Sequence, residues 1–497
     1  MRSFTGLKFF VKLNQKLYNN EVDIKSLAGK TARLVARIFR NSGSMIRYQS
    51  SLFGLERKAK MKKRLLFATL CLFGLMLCLS GQVSSDTGAG KEKTAVTFAK
   101  NVAPILQKRC EECHRQGGMA PMPLVTYEEA RPWARAIKEK VVRREMPPFH
   151  AAGAVGRYHN DPRLTDAEIT TLINWVDGGV AKGNPKDMPA PRVWKNEWKY
   201  GQPDLVVKVQ QPYTIKPSQK DQYVFFIFDY VFPEDTWIRS VDTRPGNLKA
   251  VHHANTHIIP PGFKAPAEGF IAGDFDPGAR GTIMIAGWAP GVDAVMLPEG
   301  TGVRIPKGMR LGIQVHFAPT EEERIEQTSI GIYFADGIIK KNLRVLFGDR
   351  KDVQIPPGEE NYSLIAKKTF DTDAVVRFFH VHMHLRGKSY VMKFTYPDGR
   401  AETVLEVPRY DFNWQRVYML TEPMRVPKGT VVEYIGTYDN SAKNKFNPDP
   451  TKLVQWGEKT TDEMMQGRIF YESADENLSI PVKKGRAVAP EAASKGR

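Results

Sequence analysis

Residues 375–384 read Val-Val-Arg-Phe-Phe-His-Val-His-Met-His. The run is apolar and aromatic until its end, where His382 and His384 stand two apart. A β-strand turns alternate side chains to one face, so both imidazoles can aim at a single ion. Buried imidazoles need polar partners, and a metal supplies them. Two further groups lie upstream, Val251-His252-His253 and Gln314-Val315-His316. Adjacent His252 and His253 should face opposite sides of a regular strand. For both to reach one ion, the strand must end or bulge there. His257, four residues after His253, is the competing same-face partner.

Around these groups the pattern is β. Residues 204–209, 223–232, 251–259, 309–317, 329–334, 375–384, 390–396 and 431–438 are apolar or alternating runs separated by Pro, Gly, Asn and Asp. That spacing predicts antiparallel sandwiches, jelly-roll-like in character. A weak repeat predicts two of them: Val303-Arg-Ile-Pro-Lys-Gly308 and Met424-Arg-Val-Pro-Lys-Gly429 each lead into a strand. The expected fold is a small helical domain over 95–182, a linker over 183–203, and sandwiches over 204–345 and 346–480. A basic tail over 481–497, mobile from Lys483, completes it.

The helical part shows three stripes: Phe98, Val102, Ile105 and Leu106; Trp133, Ile137 and Val141; Ile169, Leu172, Ile173 and Val176. Thr165 and Glu168 form a capping box for the third, and the second opens near Pro132. Cys110-Glu-Glu-Cys113-His114 is the Cys-x-x-Cys-His signal for one covalently attached c-type haem, with the two thiols on the vinyl groups and His114 on the iron. A redox or zinc Cys-x-x-Cys is the alternative. The sixth iron ligand is expected from Met146, in Glu145-Met-Pro-Pro148, with His150, His159 or an open iron as alternatives. A thioether there raises the potential and suits electron transfer. The stretch resembles the class I cytochrome c family, whose axial methionine commonly precedes proline.

The net charge of +19 does not argue for nucleic acid, because it is concentrated at the start of the chain. Residues 1–60 hold 13 Lys/Arg against 3 Asp/Glu, and Lys62, Lys63 and Arg64 add three more, leaving about +6 for the rest. Met61-Lys-Lys-Arg64 precedes fifteen uncharged residues, Leu65–Leu79, and a polar Ser/Gly stretch. This is the pattern of a secretory signal over 61–85, too short for a spanning helix of about 20 residues. A retained membrane anchor is the alternative. Residues 1–60 read as a basic extension upstream of the true start. A periplasmic or otherwise extracytoplasmic location follows. Of the four cysteines, Cys71 and Cys78 lie in the apolar run, so no pair remains for a structural disulfide beside the haem motif.

Four motifs in order, Val251-His252-His253, Leu311-Gly-Ile-Gln-Val-His316, His382-Met-His384-Leu-Arg-Gly387 and Thr461-Asp-Glu-Met464, resemble the copper type II, ascorbate-dependent monooxygenases over roughly 205–475. The resemblance implies two antiparallel sandwiches with one copper on each, facing a solvent gap. It assigns His252, His253 and His316 to an electron-transfer copper, and His382, His384 and Met464 to a copper that binds O₂. Imidazole suits copper, and a thioether favours Cu(I). In peptide-amidating members an Arg two residues before the His-x-His pair holds the substrate carboxylate. Here that position is His380, which argues against peptide amidation. His380 is then a substrate contact, a third imidazole near the metal, or a packed strand residue.

The reading that follows is hydroxylation of a C–H bond of a small organic substrate with O₂. A periplasmic donor supplies the electrons, which the fused haem relays at high effective concentration. The alternatives are a haem and copper electron-transfer or copper-binding protein without monooxygenase activity, or a haem that reacts with peroxide at an open iron.

Overall fold

A computed structural model describes residues 95–193 and 198–489, apart from 274, 276 and 293. The basic extension, the signal or anchor segment and residues 490–497 lie outside them. The chain divides into two units, 1–92 and 93–497. The second is mostly antiparallel β-sheet with few helices. Among the described residues no helix is long and apolar enough to cross a membrane.

The helical segment begins with a π-helical turn, Phe98–Val102, that runs into α1 (Ala103–Arg109). It continues through α2 (Tyr127–Ala130), α3 (Ala134–Val142) and α4 (Asp166–Asp177). Thr165 caps α4 with Glu168 as a reciprocal box, and Thr126 does the same for α2 with Glu129. Phe98, Val102, Leu106, Leu172 and Trp175 share one core. The expected stripes are corrected at two tryptophans. Trp133 sits in a short 3₁₀ turn before α3 and is exposed, and Ala130 and Ala134 fill the core there instead. Trp175, absent from the expected stripe, is fully buried, and its Nε1 donates to Ala181 O at 3.0 Å.

In the first sandwich the strands are β1 (Gln222–Val231), β2 (Thr236–Arg244), β3 (Val251–Ile259), β4 (Ile283–Trp288), β5 (Thr301–Ile305), β6 (Arg310–Phe317) and β7 (Ser329–Phe334). The second has β8 (Arg344–Arg350), β9 (Tyr362–Thr369), β10 (Ala374–His382), β11 (Gly387–Thr395), β12 (Ala401–Val407), β13 (Val417–Val426), β14 (Val431–Tyr438) and β15 (Met465–Ser473). Its two four-stranded sheets run β8-β15-β10-β13 and β9-β14-β11-β12.

The weak sequence repeat marks one corner built twice. In the first sandwich β1 pairs with β6 and β2 with β5; in the second β9 pairs with β14 and β10 with β13. Each Pro-Lys-Gly turn carries the chain from one sheet to the other, with Gly308 and Gly429 at φ near +80° to +85°, where glycine is unstrained. Gly308 N donates to Phe232 O and Gly429 N to Phe370 O, each at 2.8 Å. Lys307 N and Lys428 N donate to the carboxylates of Asp235 and Asp373. The matched pairs Phe232/Asp235 and Phe370/Asp373 show the duplication far better than the six-residue repeat.

Residues 149–160 join the helices to the second sandwich. They run along β13, an edge strand: His159 N donates to Met419 O, Thr421 N to Arg157 O, and Asn160 Nδ2 to Val417 O. Phe149 and Tyr158 enter that sandwich's core, and the Phe149 and Tyr418 rings meet edge to face at 5.3 Å.

The expected mobile tail is corrected over its described part, which ends at residue 489. Ile480–Lys483 and Arg486–Ala487 are strands that return to the first sandwich and pair with Gly337–Ile339 and β2. The run's charges masked an alternating apolar face: Val482 packs with Trp237, Ala335 and Ile339. Fully burying a Val is worth about 1.5–3 kcal/mol. Truncation after Ser479 should therefore lower unfolding stability by about 2 kcal/mol or more, read as a lower urea midpoint. An unchanged midpoint would contradict this docking.

Candidate metal centre

The first histidine group forms where β3 meets β6. Their pairing shifts register between Val251 and His253, so the strand bulges at His252, and His253 lies opposite His316. His252 Nδ1 and His316 Nδ1 each lie 3.3 Å from His253 Nδ1, and the three ligand atoms fall within 4.8 Å of one another. Nitrogens bound at about 2.0 Å around one ion in trigonal or tetrahedral geometry stand roughly 3.3–3.5 Å apart, so the donor set fits a metal ion. Asp221 Oδ1 lies 3.2 Å from His316 Nε2. His257 points elsewhere: its Nδ1 bonds with Thr282 Oγ1 at 3.0 Å.

The second group follows from the end of β10. His382 is its last residue, Met383 is buried in the core, and His384 lies just beyond, with ring centroids of the two histidines 5.0 Å apart. His382 Nδ1 lies 2.7 Å from Gln415 Oε1, and His384 Nδ1 3.2 Å from Asp462 O. A proton on each Nδ1 leaves Nε2 as the free lone pair, the way a hydrogen bond to the far nitrogen usually fixes a metal-ligating histidine.

Glu463 holds this group together. Its buried carboxylate accepts from the backbone N–H of His384 at 2.9 Å, Arg386 at 2.6 Å and Met464 at 3.2 Å. Burial pushes its pKa up to about 7, against the pull of those three donors. Tyr438 Oη donates to Met464 O at 2.9 Å, and Tyr410 Oη spans Met383 N and O. The His-x-His turn and the methionine are thus tied from both sides.

The expected gap between the two groups is corrected. The His253 and His382 rings lie 6.4 Å apart. Phe412 fills the space beside them, stacked on His252 at 4.6 Å and edge-on to His384 at 5.8 Å. The bonds that tie the sandwiches include Tyr223 Oη with Thr460 Oγ1, Arg416 Nη1 to Gly291 O, Thr301 Oγ1 to Glu472 Oε1, and Lys341 Nζ to Ser473 O. The open space, about 530 Å³, lies to one side, against His253, His382, His384 and Met464, with β4 as its apolar wall.

In the helical segment Cys110 and Cys113 follow α1, and His114 N donates to Cys110 O at 2.9 Å. His114 Nδ1 donates to Met122 O at 3.0 Å, which leaves Nε2 as a lone pair. Burial, with Cys113 nearby, pushes the Cys110 thiol up to about 12. Met146 is partly exposed just before the segment on β13, and His150 and His159 lie on that segment.

Glu463, Gln415 and Phe412 did not emerge from the sequence as site residues. Glu463 carried a signal, as an acid directly before Met464 in a stretch that resembled a motif. Gln415 and Phe412 carried none, because only the fold brings their loop to the histidines.

Residues 346–481 match the family model of the copper type II ascorbate-dependent monooxygenase, C-terminal domain. This span contains His382, His384, Glu463 and Met464. A comparison with curated proteins found no match. Similar solved structures include the VP2 subviral particle of infectious bursal disease virus, at 10% identity over 58% of this chain and 75% of that chain, TM-score 0.17. The major capsid protein P2 of bacteriophage PM2 is 7% identical over 54% and 100%, TM-score 0.18. TM-scores this low carry no weight for fold or function.

Burial, with repulsion from neighbouring imidazoles, pushes His252 to about 3 and His253 well below its usual 6.5. Burial likewise lowers His382 strongly and His384 to about 4. These rings are neutral in the fold and bind protons once unfolded, so unfolding takes up protons below pH 6.5. The metal-free protein should lose stability as pH falls from 6.5 toward 4, with the raised Glu463 carboxyl offsetting part of the loss of these four rings. Urea midpoints at pH 7 and 5 test this, and equal midpoints would contradict it. Glu463→Ala should cost about 3 kcal/mol or more, because three buried N–H groups lose their acceptor.

Proposed function

We propose that this chain is an extracytoplasmic copper monooxygenase that hydroxylates a C–H bond of a small organic substrate with O₂, its electrons relayed through one covalent c-type haem. The observation that carries the reading is the cluster of three imidazoles, His252, His253 and His316, beside a cavity that His382, His384 and Met464 also line. The match of residues 346–481 to a copper monooxygenase domain supports it.

His252, His253 and His316 would hold one copper through Nδ1, and His382, His384 and Met464 the other. Bound copper supplies one-electron redox chemistry and O₂ activation. The protein's own share is positional. Gln415 and Asp462 O fix the ring orientations, Glu463 fixes the turn, and Phe412 excludes water from between the rings. Cys110 and Cys113 would carry the haem, with His114 and Met146 on its iron. The segment 149–160 would hold that haem domain against the sandwich bearing His382.

Material from an exporting host should contain one acid-stable haem and two coppers, by pyridine haemochrome and metal analysis. Met464→Ala, reduced and then given O₂ and candidate substrates in a single turnover, should lose product while its haem still oxidises. Parental product yield in that variant would sink the assignment of the O₂ site. No product from the copper-loaded parent, with haem oxidation intact, would favour the electron-transfer alternative.

The haem reading has its own test. Met146→Ala should keep the covalent haem and gain CO binding when reduced. A CO response unchanged from the parent would remove Met146 as axial ligand and turn attention to His150 and His159.

A further inference from the structure

Two aromatic rings flank the three-histidine group, and each also reaches the other donor set. Tyr223 on β1 stands directly opposite His316 on β6 in the strand register. Its ring lies flat on the imidazole, with centroids 4.3 Å apart and planes 11° from parallel. Its hydroxyl crosses the junction to Thr460 Oγ1 at 2.7 Å. Thr460 is buried within residues 456–464, the segment that leads into β15 and carries Asp462, Glu463 and Met464. From the other side Phe412, in the loop between β12 and β13, stacks on His252 and meets His384 edge-on. Gln415 of the same loop bonds to His382.

Asp221 stands beside both ends of the tyrosine link. Its Oδ1 lies 3.2 Å from His316 Nε2 but off the ring's N–H axis, a close polar contact short of a hydrogen bond. Burial raises the Asp221 carboxyl, yet the His316 ring and the Thr460 hydroxyl together hold it below the usual carboxylate range. Residues 456–464 have little regular structure of their own: an isolated bridge joins Trp456 to Glu463, and Asp462 N bonds back to Lys459 O. Ordering such a segment costs conformational entropy. Its conformation nevertheless decides where Asp462 O meets His384 and where the Met464 thioether points. An ion held by His252, His253 and His316 fixes all three rings at once. Rotation of the His316 ring would break the stack, and with it the position from which Tyr223 Oη reaches Thr460.

We propose that the two donor sets load copper cooperatively, and that Tyr223 and Thr460 are the positioning residues that couple them. The proposal rests on the two-copper reading and names how one site prepares the other. Copper on the first set locks His316, His316 holds Tyr223 by stacking, and Tyr223 Oη holds Thr460. Asp462 O and Met464 then stand in place for the second ion. The ordering cost of residues 456–464 thereby falls on the first binding step and is absent from the second. One such hydrogen bond supports a coupling of about 5-fold, and by reciprocity the second ion tightens the first equally.

The test uses the full-length protein under argon, with Cu(I) delivered from a chromophoric chelator. In His382→Ala, where only the first set is complete, one equivalent of Cu(I) should slow amide hydrogen exchange over residues 457–464 of the other sandwich. Tyr223→Phe added to that variant keeps the stack and loses the hydroxyl. It should take up the same copper and abolish the slowing. Thr460→Val, which keeps the side-chain shape, should do the same and covers the case in which the phenylalanine variant binds copper poorly. With both sets intact, either substitution should weaken binding of the second Cu(I) by about 5-fold, and the double variant should weaken it no further. The proposal is overturned if copper on the first set leaves exchange over 457–464 unchanged, or if the slowing survives both substitutions. Losses of affinity that add in the double variant would overturn it as well, because separate roles and not a shared bond would then explain them. A first set that takes up no copper would overturn the proposal and the two-copper reading together. Cooperative loading without hydroxylation would count against the monooxygenase reading alone.

Discussion

The geometry of the second donor set depends on one buried carboxylate. Glu463 binds three backbone N–H groups that belong to the turn after β10 and to Met464, so it joins residues 77 to 79 positions apart in sequence. A carboxylate buried among sheets is expensive unless each lone pair finds a donor, and here the donors are the backbone N–H groups of His384, Arg386 and Met464. The residue that is costly to bury thus specifies where His384 and Met464 lie relative to each other. Arg386 closes the arrangement from outside, bonding to Thr461 O and Asn440 Oδ1.

The duplicated sandwich explains why two donor sets arise. In each half the histidine pair stands at the entrance to an equivalent strand, His252 and His253 at the start of β3 and His382 and His384 just before β11. The third donors are not equivalent. His316 comes from the end of β6 in the first half, and Met464 from the approach to β15 in the second. The two halves thus offer donors of different softness, which is what the proposed division between electron storage and O₂ chemistry requires. The loop carrying Phe412 and Gln415 contacts both sets, and Val417 just after it accepts a bond from Asn160. The helical segment is thereby linked through hydrogen bonds to the wall that holds His382.

Much of this was legible from residues alone. The strands over 251–259, 329–334 and 431–438 have the limits that their apolar runs predict. The need for a bulge at His252 follows from parity, and the register shift lies there. What stayed hidden has physical causes. Thr236–Arg244 and Met465–Ser473 are central strands whose charged residues, Arg239, Asp242 and Arg468 among them, break the apolar pattern that marks a buried strand. Trp133 is exposed because it lies in the 3₁₀ turn through which the chain enters α3. The return of Ile480–Ala487 to the first sandwich was obscured by lysines, although the alternation of Ile480 and Val482 was present. The closeness of His253 and His382 is a property of how two sandwiches meet, which no local pattern records.

The central claim is that two unlike copper sites share this junction, one all-nitrogen and one with a methionine sulfur. Copper-edge X-ray absorption on the fully reduced protein, loaded with two equivalents, tests it most directly. The account predicts nitrogen scattering from both ions and a sulfur scatterer at half occupancy per copper, with the sulfur abolished by Met464→Ala and the nitrogen reduced by His316→Ala. A sulfur contribution that survives Met464→Ala, or binding that saturates at one copper shared by all five imidazoles, would contradict it.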